Sequence, residues 1–168
     1  MLQLTAFTDN DIDSLTKHAN NINITTLLTN IFPFPYTREE AVKFIAYTKT
    51  FTPSEILAIR YENEVVGAIG LHPQKDIYCK TIELGYWLGE EYWNRGLATN
   101  AVALGIDYAL QQWKFNKIIA KVFAENIPSQ KVLLKNHFTK EATLQKAIYK
   151  NGIFHDEYFF CFFNGKYI

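Results

Sequence analysis

Two apolar runs, Thr81–Leu88 and Lys117–Phe123, flank a long helical stretch. This strand–helix–strand unit constrains the fold more than any other feature. From about Ala98 to Trp113, the residues Ala98, Ala101, Val102, Gly105, Ala109 and Trp113 recur at helical spacing. Asn100, Asp107, Gln111 and Lys114 fall on the opposite side, as in a helix packed on one face. Two strands joined through such a helix lie parallel in one sheet. The small residues of the stripe let the helix approach that sheet closely.

The rest of the chain reads as antiparallel strands and short helices. Leu2, Leu4 and Ala6 alternate with Gln3 and Thr5, the pattern of a first strand. Asp9 or Asn10 is placed to cap a short helix through Lys17. Pro33 and Pro35 exclude regular helix from Ile31 to Tyr36. Thr37-Arg-Glu-Glu40 then has the form of a capping box, continued by Ala41, Phe44, Ile45 and Thr48 at helical spacing. Ile56–Tyr61 and Val65–Leu71 read as a hairpin across Glu62-Asn63-Glu64. A short helix is expected from Asn126-Ile-Pro-Ser129 through Lys135. Leu144–Tyr149 and Ile153–Phe163 read as strands joined across Asn151-Gly152, a dipeptide suited to a turn that needs positive φ twice. The nearly all-apolar run Tyr158–Phe163 predicts a strand buried on both faces. The expectation is an α/β chain of the α+β type. Its mixed, mostly antiparallel sheet has about seven strands, a central parallel pair and flanking helices, all in one domain over residues 1–168.

Composition narrows the function. At 168 residues, with 48% hydrophobic and 20% charged residues, the chain has the makings of a packed core rather than a disordered segment. Seventeen basic residues balance seventeen acidic ones, so nucleic-acid binding has no electrostatic support. Cys79 and Cys161 make neither a disulfide framework nor metal-ligand spacing. They fit a reduced, cytoplasmic setting with no metal. Met1–Asp13 lacks the pattern of a secretory leader, and no run is long and apolar enough to span a bilayer. Without export, Asn23-Ile24-Thr25 is a chance match to a glycosylation sequon.

The chemistry is concentrated between Glu83 and Thr99, where a strand enters a loop and the loop enters a helix. Backbone amides at such a junction converge, and the helix dipole adds positive potential, so a pyrophosphate is the natural guest. Gly96 allows close backbone approach, Ala98 is small, and Arg95 can add a charged contact. A plain strand-to-helix turn fits the loop taken alone equally well. A Walker-type loop does not fit, because Leu97 follows the last glycine where lysine is required. A dinucleotide fingerprint fails on glycine spacing.

This segment resembles motif A of the GCN5-related N-acetyltransferases (GNAT), Q/R-x-x-G-x-G/A, through Trp93-Asn-Arg-Gly96-Leu-Ala98. Trp93 departs from the first position in the manner of the RimJ/RimL-type branch. That branch also resembles Glu83-Leu-Gly-Tyr-Trp-Leu and Gly96-Leu-Ala-Thr99, though it often has Glu where this chain has Asn100. Phe34-Pro-Tyr36-Thr37 is similar to the branch's substrate-side loop. Asn126-x-x-Ser129 with Val132-Leu-Leu134-Lys135 and Phe138 resembles motif B, with His137 in place of the usual glycine. Gly152 and Asp156 also fit.

The resemblance implies the GNAT fold, with acetyl-CoA in a cleft where the fourth strand splays from the fifth. The backbone of Trp87 and Leu88 would pair with the pantetheine arm, and the amides of Arg95, Gly96, Leu97, Ala98 and Thr99 would hold the pyrophosphate. An amide near Leu88 would face the tetrahedral oxyanion. A neutral primary amine would attack the thioester directly, with Glu83 as general base. Glu83 is equally readable as a solvated or paired carboxylate. Many members protonate the thiolate from a tyrosine on the motif B helix, but Gln130–Asn136 has none. Ser129 is the hydroxyl left for that role, and it also suits a helix cap. Asn126 is a cofactor contact or a cap. Phe34 and Tyr36, with Phe32 and Trp87, are acceptor-site candidates. His72, His137 and His155 fall in no motif, and both cysteines lack a base partner. The implied function is transfer of an acetyl group to a primary amine, either a peptide N-terminus, favoured by analogy, or a small amine. The alternative is a non-catalytic acetyl-CoA sensor on the same fold. Homodimers are common in this branch.

Overall fold

The computed structural model describes residues 1–165. A seven-stranded sheet runs in the order β1-β2-β3-β4-β5-β7-β6, formed by β1 (Leu2–Thr5), β2 (Ile56–Tyr61), β3 (Glu64–Pro73), β4 (Thr81–Leu88), β5 (Lys117–Phe123), β6 (Thr139–Lys150) and β7 (Ile153–Phe163). The β4–β5 pair is parallel, and the other neighbours are antiparallel. The helices are α1 (Ile12–Ala19), α2 (Ile22–Thr25), α3 (Arg38–Thr48), α4 (Leu97–Gln112) and α5 (Ile127–Lys135). None of the described helices is long and apolar enough to cross a membrane.

The helices cover the sheet from two sides. On one side, Ala101, Val102, Ile106 and Ala109 of α4 and Leu133 of α5 pack on Ile69, Leu71, Ile82, Ile118 and Phe160. Gly105 sets the distance of approach there, since a Cβ at that position would lie 2.6 Å from Ile69 Cδ1. On the other side, Leu15 and Ala19 of α1 and Ala41 and Ile45 of α3 pack on Ile56, Ala58, Val65 and Ala68.

Several local expectations change. Thr8, not Asp9 or Asn10, starts the first helical turn, and the Asp11 carboxylate accepts from its amide (2.8 Å) and hydroxyl (3.0 Å). The Thr37 hydroxyl accepts from the Glu40 amide at 3.3 Å, but the Glu40 carboxylate turns to Lys43 instead of back to Thr37. At the β6–β7 turn, Asn151 and Gly152 both take positive φ, 52° and 81°. β7 is buried on both faces only at Phe160 and Cys161, not along the whole run Tyr158–Phe163. Phe163 is 46% exposed. The reason is that lysines rather than a helix lie over the outer face, with Lys121 Nζ 5.5 Å from the Phe159 ring and Lys117 Nζ 5.3 Å from that of Phe163.

Candidate active site

β4 and β5 pair only through Thr81↔Lys117, Ile82↔Ile118 and Glu83↔Ile119. Beyond Glu83 the two strands part, while β4 continues along β3 to Leu88 and β5 continues along β7 to Phe123. The opening between them is a cleft of 420 Å³, closed at its sides by the start of α4, by α5 and by the Asn23–Leu28 region.

Register shows which peptide groups face the cleft. The Gly89 amide donates to the Val66 carbonyl at 2.7 Å, and Gly67 stands opposite Leu88. That makes Gly67 and Leu88 a non-hydrogen-bonded pair, so the peptide groups of Leu88 and of Tyr86, two residues earlier, point away from β3. Trp87 turns its own peptide group toward β3. Trp93 takes up the Leu88 carbonyl through its indole N–H at 2.7 Å. The Leu88 amide remains as a donor toward the cleft.

The start of α4 supplies more donors. Gly96 is its N-cap with φ of 74°, and no side chain caps the helix. Asn100 makes the first intrahelical bond, to the Gly96 carbonyl. The amides of Leu97, Ala98 and Thr99 therefore lack intrahelical partners. All three residues line the cleft with Gly96, where a Cβ would meet nothing within 4 Å. Arg95 stands elsewhere: its guanidinium stacks 5.2 Å from the Tyr61 ring and 5.5 Å from the Tyr92 ring.

The loop is braced from behind by His18, the one histidine that sequence reasoning passed over. Its buried imidazole meets Glu64 Oε1 at 2.8 Å, and the Tyr92 hydroxyl donates to Glu64 Oε2 at 3.2 Å. Gly89 fits against the same ring, as an added Cβ there would lie 3.1 Å from His18 Nδ1.

Asn126 and Ser129 both line the cleft. Asn126 is the N-cap of α5, its Oδ1 accepting from the Ser129 amide at 3.2 Å. This leaves the Ser129 hydroxyl free of capping duty. That hydroxyl is 2.8 Å from the hydroxyl of Tyr86. Burial pushes the Tyr86 phenol up to about 12, against the lowering effect of its bond to Ser129.

Glu83 occupies the last paired position before the strands part and does not line the cleft itself. Its Oε2 lies 3.1 Å from Lys121 Nζ. Glu157 is nearby, its carboxyl raised chiefly by burial, with Lys121 lowering it and Glu83 raising it. Tyr36 is buried, its phenol pushed up by burial, and its ring is 5.2 Å from that of Phe32, which in turn is 5.5 Å from Trp87. Phe34 is exposed. His72 pairs with Glu55 at 3.2 Å, and His155 pairs with Glu125. Cys161 is buried and Cys79 exposed. No cluster of three metal-ligating side chains occurs among the described residues.

The site thus contains residues that sequence reasoning did not select. Tyr86 and Trp93 were visible only as members of a motif. Ile24, Leu27 and Leu28 line the cleft from the α2 region without any motif. Lys150, at the end of β6, donates to the carbonyls of Thr25 (2.5 Å) and Leu28, and so ties that region to the β6–β7 hairpin.

Comparison with known proteins agrees with this geometry. The model of the acetyltransferase (GNAT) domain matches residues 1–139. The uncharacterized N-acetyltransferase p20 of Bacillus licheniformis is 34% identical over 111 residues, 66% of this chain and 62% of that protein. The ribosomal-protein-serine acetyltransferase of Escherichia coli K12 is 28% identical over 103 residues, 61% of this chain and 57% of its own. The chain thus spans less than two thirds of the length of these relatives. The structure of the microcin C7 self-immunity acetyltransferase MccE, in complex with acetyl-CoA and AMP, superposes with a TM-score of 0.84 at 25% identity, covering 97% of this chain and 92% of that one. With a splayed parallel pair, an uncapped helix start at its mouth and a domain match over most of its length, the chain belongs to the GNAT acetyltransferase family.

Proposed function

We propose that this protein is an acetyl-CoA-dependent N-acetyltransferase acting on a primary amine. The observation that carries the reading is the convergence on one cleft of amides that have no partner among the described residues: that of Leu88 from the splayed end of β4, and those of Leu97, Ala98 and Thr99 from α4. The α4 amides suit the pyrophosphate of acetyl-CoA, aided by the helix dipole. The open space above Gly96 gives the phosphate room. The Leu88 amide suits the oxyanion formed when an amine adds to the thioester, a charge best stabilised by donors fixed in advance. Asn126 adds a polar group at the other wall. Arg95 acts through its stack on Tyr61 and Tyr92, holding the loop rather than meeting phosphate.

An amine must be neutral to attack. Glu83 stands where the strands part and takes the proton, directly or through water, with Lys121 fixing its carboxylate. The Ser129 hydroxyl serves the leaving thiolate. Phe34 and Tyr36 belong to the acceptor side, Phe34 as an exposed contact and Tyr36 as a support for Phe32 and Trp87. A peptide N-terminus is the favoured acceptor, by analogy with the ribosomal-protein-serine acetyltransferase.

Calorimetric titration with acetyl-CoA, followed by a thiol-release assay over amines and N-terminal peptides, tests this reading. Binding with release on one acceptor class is expected. Binding without release on any acceptor would favour a sensor, and absence of binding would overturn the placement of acetyl-CoA in the cleft.

A further inference from the structure

The motif B helix of this chain has no tyrosine, yet a phenol stands at its first turn. It comes from β4. Tyr86 crosses the open end of the cleft and meets Ser129 twice, at 2.8 Å to the hydroxyl and 3.2 Å to the carbonyl. No other hydrogen bond is found between the splayed half of β4 and α5 among the described residues.

We infer that Tyr86 is a positioning residue for the Ser129 hydroxyl, holding its hydrogen toward the cleft where the thiolate leaves. The inference rests on the acetyl transfer proposed above. A phenol has one hydrogen to give. The Ser129 carbonyl is already engaged by the α5 ladder, and the hydroxyl is the nearer acceptor. Once Tyr86 donates to Ser129 Oγ, the serine's own hydrogen must point away from Tyr86. A serine in a helix otherwise turns that hydrogen back to the carbonyl of the preceding turn. Among the described residues Ser129 Oγ makes no such bond, its one side-chain partner being Tyr86, and Ser129 lines the cleft. Burial supports the assignment by keeping the phenol protonated, hence a donor, through the neutral and mildly alkaline range.

The step this serves needs no net transfer from either hydroxyl. The C–S bond breaks with its electron pair on sulfur. Ser129 donates a hydrogen bond to that charge as it forms. The proton that sulfur finally acquires balances the one shed by the attacking amine.

The test is a set of variants assayed for acetyl-CoA affinity and for turnover. Tyr86→Phe removes one oxygen and keeps the ring. It is expected to lower kcat about tenfold, the scale of one hydrogen bond, with acetyl-CoA affinity within about twofold of the wild type. Ser129→Ala should match it, and the double variant should be no slower than the slower single one, because both abolish the same oriented hydrogen bond to sulfur. Ser129→Thr, which keeps the hydroxyl, should recover most of the rate. Wild-type turnover in Tyr86→Phe, or losses that multiply in the double variant, would overturn the inference while leaving acetyl transfer intact. A loss of affinity in step with the loss of rate would make Tyr86 a wall of the cleft and overturn it too. A wild-type protein that releases thiol on no acceptor removes the acetyl-transfer reading and this inference together.

Discussion

The two ends of β4 are built from similar apolar residues and do opposite things. At the first end, Ile82 lies opposite Ile118 in a parallel ladder, and both are buried under α4. At the second, Leu84 to Leu88 keep β3 on one side and, among the described residues, have no strand on the other. What separates them is not hydropathy but what fills the missing neighbour's place. The second end is bounded by single polar contacts: Trp93 on the Leu88 carbonyl, Tyr86 on Ser129, and Lys121 on Glu83 at the fork. The closed end contributes stability through buried area. The open end leaves backbone groups available, which is what a ligand needs.

Substitutions at the two ends should therefore separate stability from binding. The largest stability effect is expected at the closed end. Ile82→Ala should cost about 2–5 kcal/mol of unfolding free energy, the usual range for emptying a packed core site, measured by urea denaturation. If the loss stays well below that range, the ladder is not the structural anchor. Gly96→Glu, at the open end, should reduce acetyl-CoA affinity by about 100-fold or more, since it sets a side chain and a like charge against phosphate. Gly96→Ala separates the two effects. It should cost about 1 kcal/mol through the positive φ alone and leave affinity nearly intact, because its Cβ meets nothing. Equal affinity in both variants would move the phosphate away from α4. Glu83→Gln, at the fork between the ends, should slow turnover most below the amine's own pKa while sparing acetyl-CoA affinity. An unchanged pH–rate profile would remove Glu83 from the mechanism.

The smallest effect concerns the tether behind the open end. Burial holds the Lys150 ammonium below the ordinary lysine value of 10.5. The unfolded chain therefore binds more protons than the folded one between the lowered value and 10.5, and stability rises with pH across that window. The urea midpoint of the wild type should climb there relative to Lys150→Met. Parallel curves would mean that the ammonium is not desolvated at the Thr25 and Leu28 carbonyls.

Local chemistry was readable from sequence, and convergence was not. Asn151-Gly152 specified a turn because two adjacent positive φ values demand such residues, and Thr37 specified a helix start because its hydroxyl serves an amide three residues on. The run from Thr81 to Phe123 implied the parallel pair because a helix between strands leaves few alternatives. Tyr86 and Ser129, 43 residues apart, meet only because β4 and β5 part, and no periodicity records that. Lys150 reaches Thr25 across 125 residues. In β7, Phe159, Phe160 and Phe163 are identical in hydropathy, yet only Phe160 is buried. Burial there depends on which face a helix covers, a property of the neighbours and not of the strand.

The strand order carries a consequence for how the site is assembled. β5 is flanked by β4 over three residue pairs and by β7 over all seven of its residues, and β6 joins the sheet only through β7. During synthesis β7 follows β5 by some thirty residues, so β5 waits as an unprotected edge until that stretch has left the ribosome. Every residue that lines the cleft has been made by Lys135, so a nascent chain stalled before Ile153 would hold the full lining while β5, the strand that leads into α5, still lacked its long antiparallel partner.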